Sequence, residues 1–475
     1  MPTFGRRFRQ ALKMIALPPT LIGAALQPVI VPAAHASTVE ERYANPLLGQ
    51  TQIEIERRAL NIRMRPEVVS ARNRALGLVK SHALAGSAEN AALAARDLDK
   101  WVTQLIVQEL LPLYPGSIFY AVETTGHSWH GVSFPGTALA IDNPDNIYRL
   151  AALKGSTAYT LKGRVTPAKP SLLVFQLSRY PHGIGWAPAA SGNDNASYAT
   201  LTSNGLETAP DGSFQITIDR STAPGNHMQF PDDGDFMFTI RDSLSNWKQI
   251  PAELSMVATP STRLADDPDE EVAARVVDHM PGFVSFLLDF VDSYHSHPAE
   301  NTLSAPYGRE GGWGFATASR YRLADDEALL VTITDANANY FGIQTTDAWM
   351  VSPPSTEAII SRNKAQSVVN ANGTQTFIVS PRDPGRANWV GTAGLHQGWI
   401  QVRWQGVPPH ADSRDLLRSV RLVKLADLDS SVAKDLPRVT AARRSAELEE
   451  HRSQWLLRTA AARPGDWQVG AVRRD

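Results

Sequence analysis

The chain has 475 residues, a formal net charge of −2, 43% hydrophobic and 20% charged residues, and no cysteine. That composition can bury a sizeable core and excludes disulfides, thiolate metal sites and cysteine nucleophiles. Beyond residue 36 acids outnumber bases, which argues against a surface built for non-specific nucleic-acid binding.

Residues 1–36 read as a signal peptide. Arg6, Arg7, Arg9 and Lys13 precede an apolar stretch from Met14, and Ala34-His35-Ala36 forms an A-x-A site before Ser37. Pro18, Pro19, Pro28 and Pro32 break that stretch and argue against a spanning helix, the alternative being an uncleaved anchor. Arg6-Arg7 begins a twin-arginine pattern that Phe8-Arg9-Gln10 continues poorly, so the export route stays open. No later segment is apolar for long enough to span a bilayer, so cleavage near Ala36-Ser37 would release a periplasmic or extracellular protein without a transmembrane segment.

Residues 37–115 are expected to be helical. Ile53, Ile55, Leu60 and Ile62 mark a helix within 47–64, Pro66 opens a second, and Leu98, Trp101, Val102, Leu105, Ile106 and Leu110 recur at helical spacing in a third, ended by Pro112 and Pro115-Gly116. From Ile118 the period shortens. Runs at 158–165, 172–177, 214–218 and 236–240 read as strands, in a first sandwich unit over 116–262. A helical linker follows at 263–300, with acids crowding its first turn. Residues 301–410 are strand-like again, and 411–475 read as a charged, helical tail.

Two stretches match. Asp211-Gly212, the strand to Ile218, Pro224-Gly225-Asn226 and the strand ending at Arg241 parallel Asn372-Gly373, the strand to Val379, Pro384-Gly385, Asn388-Trp389 and the strand ending at Arg403. Asn226 to Arg241 and Asn388 to Arg403 span the same 15 positions. Each unit alone leaves an apolar face uncovered, so the expected fold is mainly β: a duplicated β-sandwich with an N-terminal helical segment and a C-terminal helix.

The second stretch, with Asn372-Gly373, Ser380-Pro381, Asn388-Trp389 and Gly398 to Trp404, resembles the domain-of-unknown-function 1214 family most clearly over 330–407. Residues 142–242 resemble its longer members more loosely, through Asp142-Asn143-Pro144-Asp145-Asn146-Ile147-Tyr148. The resemblance implies a sandwich of jelly-roll type and no particular reaction.

G-x-S-x-G, H-E-x-x-H, phosphate-loop and dinucleotide motifs are absent, so no cofactor or metal is expected. The candidate catalytic residues are His182, Arg179 and Tyr180, in a loop after a strand, and His127 and His130, expected in a Gly- and Pro-flanked loop. Trp129, Trp186, Trp313, Tyr340, Trp349 and Arg403 are candidate ligand-binding residues, able to stack on a ring or clamp an anion. Each has a plainer reading as core or turn. His295 and His297 would cap the linker helix, and Arg241, Asp242 and Arg403 would form ion pairs tying the units together. Two functions lead: binding of a small amphipathic or carbohydrate ligand in a cleft, and a hydrolase or lyase with a His base and an Arg anion clamp. A structural envelope protein is the third.

Overall fold

The computed structural model describes residues 47–48, 50–121, 125–182, 197–259, 267–293, 298–309, 311–434 and 436–460. The expected signal peptide, Trp186, His295 and His297 lie outside the described residues.

Helices α1 (Gln50–Arg63), α2 (Pro66–Ser81) and α3 (Ala88–Leu110) follow the spacing read from the sequence. Proline sits at the start of α2, where no intrahelical N–H is lost. The C-terminal half of α3 is buried on every side, Gln104, Gln108 and Glu109 included. The first unit contains β1 (Phe119–Ala121), β2 (His127–Trp129), β3 (Val132–Phe134), β4 (Asn146–Lys154), β5 (Ala158–Arg164), β6 (Leu172–Arg179), β7 (Ala199–Thr202), β8 (Ser213–Asp219), β9 (His227–Gln229), β10 (Asp235–Ser243) and β11 (Glu253–Thr259). Helix α4 (Asp269–Ser293) carries Asp269, Glu270 and Glu271 in its first turn, where the helix dipole favours acids. The second unit contains β12 (Tyr307–Gly308), β13 (Gly314–Arg322), β14 (Glu327–Ile333), β15 (Tyr340–Thr346), β16 (Ser361–Asn363), β17 (Gln375–Ser380), β18 (Trp389–Gly391), β19 (Gln397–Gln405) and β20 (Leu417–Lys424). Helices α5 (Leu428–Ser431) and α6 (Ala441–Leu456) follow, Thr440 capping α6 through the Arg443 N–H.

The duplication is carried by the topology. The five-stranded sheets run β1-β4-β10-β6-β7 and β12-β13-β19-β15-β16, and the four-stranded sheets run β11-β5-β8-β9 and β20-β14-β17-β18. Strand for strand the orders correspond. Even the parallel exception recurs, β8 with β9 and β17 with β18. Gly212 and Gly373 open equivalent strands at φ of 81° and 80°, a conformation that favours glycine.

Alternation along the strands fills one core per unit. Phe175, Phe214, Ile216, Phe238 and Ile240 meet between the first pair of sheets, and Phe341, Phe377, Val379, Ile400 and Trp404 between the second. Helices α1–α4 cover an outer face of the first five-stranded sheet, packing on Leu150, Ala152 and Met237.

Two local expectations change. Leu417–Lys424 is a strand, not part of a helical tail. Leu417, Val420 and Val423 suit a helical period as well as an edge strand, and the open edge of β14 decides between them. The exposed Arg418 and Arg421 there discourage further edge pairing. His127 to Phe134 is a hairpin rather than a loop, because His130 and Gly131 both adopt the positive φ of a two-residue turn.

Where α3 meets the second unit, Asp97 and Asp347 are both buried and hydrogen-bonded to each other, with Arg96 at 2.6 Å from each. Burial, then the neighbouring Asp97 charge, pushes the Asp347 carboxyl well above its ordinary value of 3.8. The protonated pair therefore stabilises the fold most fully below that ordinary value, and the contribution is lost as pH rises through the folded value. Asp347→Asn imitates the protonated carboxyl. It is expected to be about 1 kcal/mol more stable than the parent at alkaline pH, and to flatten the decline in stability as pH rises from the ordinary value of 3.8 into the alkaline range. Urea midpoints across that range check this, and parallel profiles for the two proteins would refute it.

Candidate functional site

A pocket of about 300 Å³ opens where α3, α4 and the end of β6 meet. Pro112, Leu113 and Pro115, the residues that stop α3, give it an apolar wall, and Lys154, His182, Asp267, Arg275, His279 and Glu109 supply polar groups. Glu109 lies in the last turn of α3 with its side chain almost wholly buried. Its Oε1 is 2.9 Å from His279 Nδ1, and its Oε2 is 3.5 Å from Arg275 Nε. Arg275 also pairs with Asp267 at 2.9 Å. On the opposite side His182 Nε2 lies 3.1 Å from Asp235, which Lys154 approaches at 3.4 Å. Each basic group thus faces a carboxylate.

Residues 180–182 are fastened to α3. The Tyr180 hydroxyl donates to the Gln108 carbonyl, and the Gln108 amide donates to the Pro181 carbonyl at 2.7 Å. This clamp brings His182 beside Glu109, seventy-odd positions earlier in the chain. Tyr180 itself is buried, and desolvation pushes its phenol well above the ordinary value, so it anchors rather than titrates. Arg179 forks onto Asp232 at 2.8 and 2.6 Å and lies over the Phe236 ring. That hydrogen-bonded fork holds the Asp232 carboxyl well below the carboxylate range.

The other sequence candidates lie elsewhere. The buried His127 ring meets Glu56 at 3.0 Å, and the Trp129 indole donates to the same carboxylate at 2.7 Å, fixing the β2–β3 hairpin to α1. His130 sits at the hairpin turn and offers its carbonyl to Arg57 at 3.3 Å. A shallower groove of about 700 Å³ runs past His127, Ser128, Phe134 and Leu456. Trp349 is buried, its indole donating to the Asn90 carbonyl at 2.9 Å. Tyr340 donates to Asp145 at 2.7 Å. Arg403 donates to Gln344 and the Ile141 carbonyl, and Trp313 lies 5.5 Å from the Arg241 guanidinium. The expected inter-unit ion pair is replaced by pairing within one unit: Asp242 holds Arg149 of the adjacent β4. Its neighbour Arg241 points to the other face of the sheet, as alternation requires, and donates to Gln176 at 2.8 Å.

Sequence reasoning found His182 and missed Glu109, Lys154, Asp267, Arg275 and His279. One clue was present: an acid in the last turn of a helix opposes the helix dipole and asks for a basic partner. Among the described residues no group of three His, Asp or Glu side chains is arranged to hold a metal.

The fold is a mainly β, duplicated sandwich with a helical layer and a polar pocket at the layer's edge. The model of the family described as "Protein of unknown function (DUF1214)" matches residues 148–242 of this chain. That span runs from β4 to β10, so the family segment falls on the first unit rather than on 330–407, where the sequence resemblance was clearest. No curated protein matches. An uncharacterised protein from Burkholderia cenocepacia is similar in structure, with a TM-score of 0.61, 22% identity, and coverage of 79% of this chain and 99% of that one. The VPA0106 protein from Vibrio parahaemolyticus gives 0.36 and 11% identity, over 60% of this chain and 90% of that one. The first likeness concerns the fold alone.

Proposed function

We propose that this is an exported binding protein that takes a small, uncharged, hydroxyl-bearing amphipathic ligand in the pocket beside His182. The reading rests on one observation: basic and acidic groups around the pocket are already paired with one another, beside an apolar wall of Pro112, Leu113 and Pro115. Such a site has hydrogen-bond donors and acceptors to offer but little net charge to neutralise, which suits hydroxyl groups on a compact apolar body. The basic and apolar leader ending in Ala34-His35-Ala36 supports export.

Thermal-shift and calorimetric titrations with neutral sugars, polyols and short hydroxylated amphiphiles test the reading. One of these classes is expected to bind, and His279→Ala combined with Lys154→Ala is expected to weaken that binding at least about tenfold, the loss of one or two charge-assisted hydrogen bonds. Binding unchanged in the double variant, or no binding by any of the three classes, overturns it.

A second reading has its own support. With Glu109 accepting from His279 Nδ1–H, Nε2 is left to take a proton, the arrangement of a general base. Hydrolase or lyase activity would then fall in Glu109→Gln with its pH profile displaced, whereas a pure binding site would show no turnover in either protein.

A further inference from the structure

Among the described residues two edge strands are long: β11 has seven residues and β20 eight, whereas every other edge strand has two to four. The two hold equivalent places in the duplicated sheets, β11 outside β5 and β20 outside β14. They are built differently. Strand β20 exposes Arg418, Arg421 and Lys424, its register with β14 slips between Thr332 and Ile333, and Arg421 reaches the Ser431 carbonyl at 2.6 Å. Charges and irregular register are means by which an edge strand avoids pairing with another chain. Strand β11 has neither. Its register with β5 runs unbroken from Glu253 to Thr259. It contains no proline, and no charge from Leu254 to Thr259. Its one charged residue, Glu253, is already paired with Arg164 at 3.0 Å. Val257 is 50% exposed, and Leu254, Met256 and Ala258, which face the core of the first unit, are only partly buried. No described residue pairs with the outer backbone edge of β11.

We propose that β11 is a dimerisation edge, pairing antiparallel with the same strand of a second copy of this chain about a two-fold axis at Met256. Charge and pattern select this occupant. At that register Leu254 lies opposite the partner's Ala258, Ser255 opposite the partner's Val257, Glu253 opposite the partner's Thr259, and Met256 opposite the partner's Met256. Like charges meet nowhere along the contact, which is the condition that β20 fails with its three cations. On the core-facing side the apolar row Leu254, Met256 and Ala258 continues into an identical row, which completes the burial that a terminal strand leaves unfinished. On the other side Val257 is covered by a serine, and Ser255 by a valine. An antiparallel edge strand directs alternate N–H and C=O groups away from its sheet, and the same strand turned by a two-fold axis offers matching groups in matching order. Such a contact is closed. It uses both free edges, so association stops at two copies instead of growing into a fibre. A long uncharged edge is therefore tolerated in the first unit because it is filled, and guarded in the second because it is not.

Sedimentation velocity of the full-length protein across micromolar concentrations tests the proposal. The parent is expected to form a reversible dimer. Ser255→Lys and Val257→Lys each place an ammonium on the edge, and the two-fold axis counts each change twice, so each is expected to weaken dimerisation at least about tenfold. Combined, they set ammonium groups opposite one another and are expected to leave monomer. Ser255 is exposed, so its change should leave the fold intact, and an unaltered circular dichroism spectrum verifies that. Leu422→Lys adds the same charge to an exposed position of β20 and is expected to dimerise like the parent. Because the chain has no cysteine, thiols report the register directly. Oxidising a mixture of Ser255→Cys and Val257→Cys is expected to give a disulfide-linked dimer containing one of each, which neither variant gives alone. A parent that stays monomeric overturns the proposal, including one that instead pairs β11 with an added extended peptide. So does a dimer equally tight in the parent and both lysine variants, or a cross-link that forms as readily in either cysteine variant alone.

Discussion

Asp145→Ala is expected to destabilise the protein by about 3–5 kcal/mol, the range for breaking a buried polar network by removing its shared acceptor. Asp145 has no solvent exposure and accepts three hydrogen bonds, from Trp247 Nε1 at 2.7 Å, Asn363 Nδ2 at 2.9 Å and the Tyr340 hydroxyl at 2.7 Å. Trp247 belongs to the first unit, Tyr340 and Asn363 to the second. Alanine would leave the Trp247 indole N–H with nothing to meet it, and the other two donors with only longer contacts, Tyr340 to Asn143 Oδ1 at 3.3 Å and Asn363 to the Leu244 carbonyl at 3.4 Å. The C-terminal helix closes over the same point: His451 stacks on Trp247 at 3.9 Å, and burial holds its imidazole neutral down to about 3. Arg458, wholly buried and lowered to about 10 by desolvation, lies over Trp247 and Trp455 and donates to the Pro144 carbonyl at 2.7 Å. Asp145→Asn keeps an acceptor for Trp247 and Asn363, so its cost should stay near about 1 kcal/mol. Urea denaturation separates the two variants. Equal, small losses would mean that the network contributes little to joining the units.

The architecture was legible because it is written in periodicity. Alternation in Phe214–Ile218 and Phe236–Ile240, and the recurring Asp-Gly or Asn-Gly and Pro-Gly turns, specify strands and their register locally. The repeat was legible for the same reason, since one turn chemistry at one spacing produced one topology twice. The candidate site was not legible. Glu109 and His279 are separated by 170 positions, and nothing local in either helix names the other. His127, Trp129 and Trp349 drew notice as polar or aromatic residues in dense clusters, yet Glu56 meets His127 Nε2 and the Trp129 indole, and the Asn90 carbonyl meets the Trp349 indole. Residue type shows that a group needs a partner. Only the fold shows whether that partner is protein or ligand.

The pairing of Asp242 with Arg149 makes the second large prediction. Both side chains are almost completely buried between the sheets of the first unit. Asp242 Oδ2 accepts from Arg149, and its Oδ1 accepts from the Ala252 N–H at 3.0 Å. Arg149 completes the loop by donating to the Ala252 carbonyl at 2.8 Å, so the pair also fastens the chain entering β11. Asp242→Ala strands a guanidinium in the interior and is expected to cost about 3–5 kcal/mol. Exchanging both partners for apolar residues, Arg149→Met with Asp242→Leu, removes the charge together with its need for compensation. That double variant should recover most of the loss, because the attraction between buried partners is largely offset by the cost of desolvating them. Denaturant midpoints of the single and double variants decide the matter. A double variant as unstable as Asp242→Ala would mean that the bonds to Ala252, rather than the stranded charge, account for the effect. The second unit places Arg403 and Trp404 where the first has Arg241 and Asp242, with the Trp404 indole donating to the Thr334 carbonyl at 2.8 Å. One copy of the duplicated strand therefore fills this core position with an ion pair and the other with an aromatic ring. The existence of both solutions in one chain is the reason to expect the apolar replacement to be tolerated.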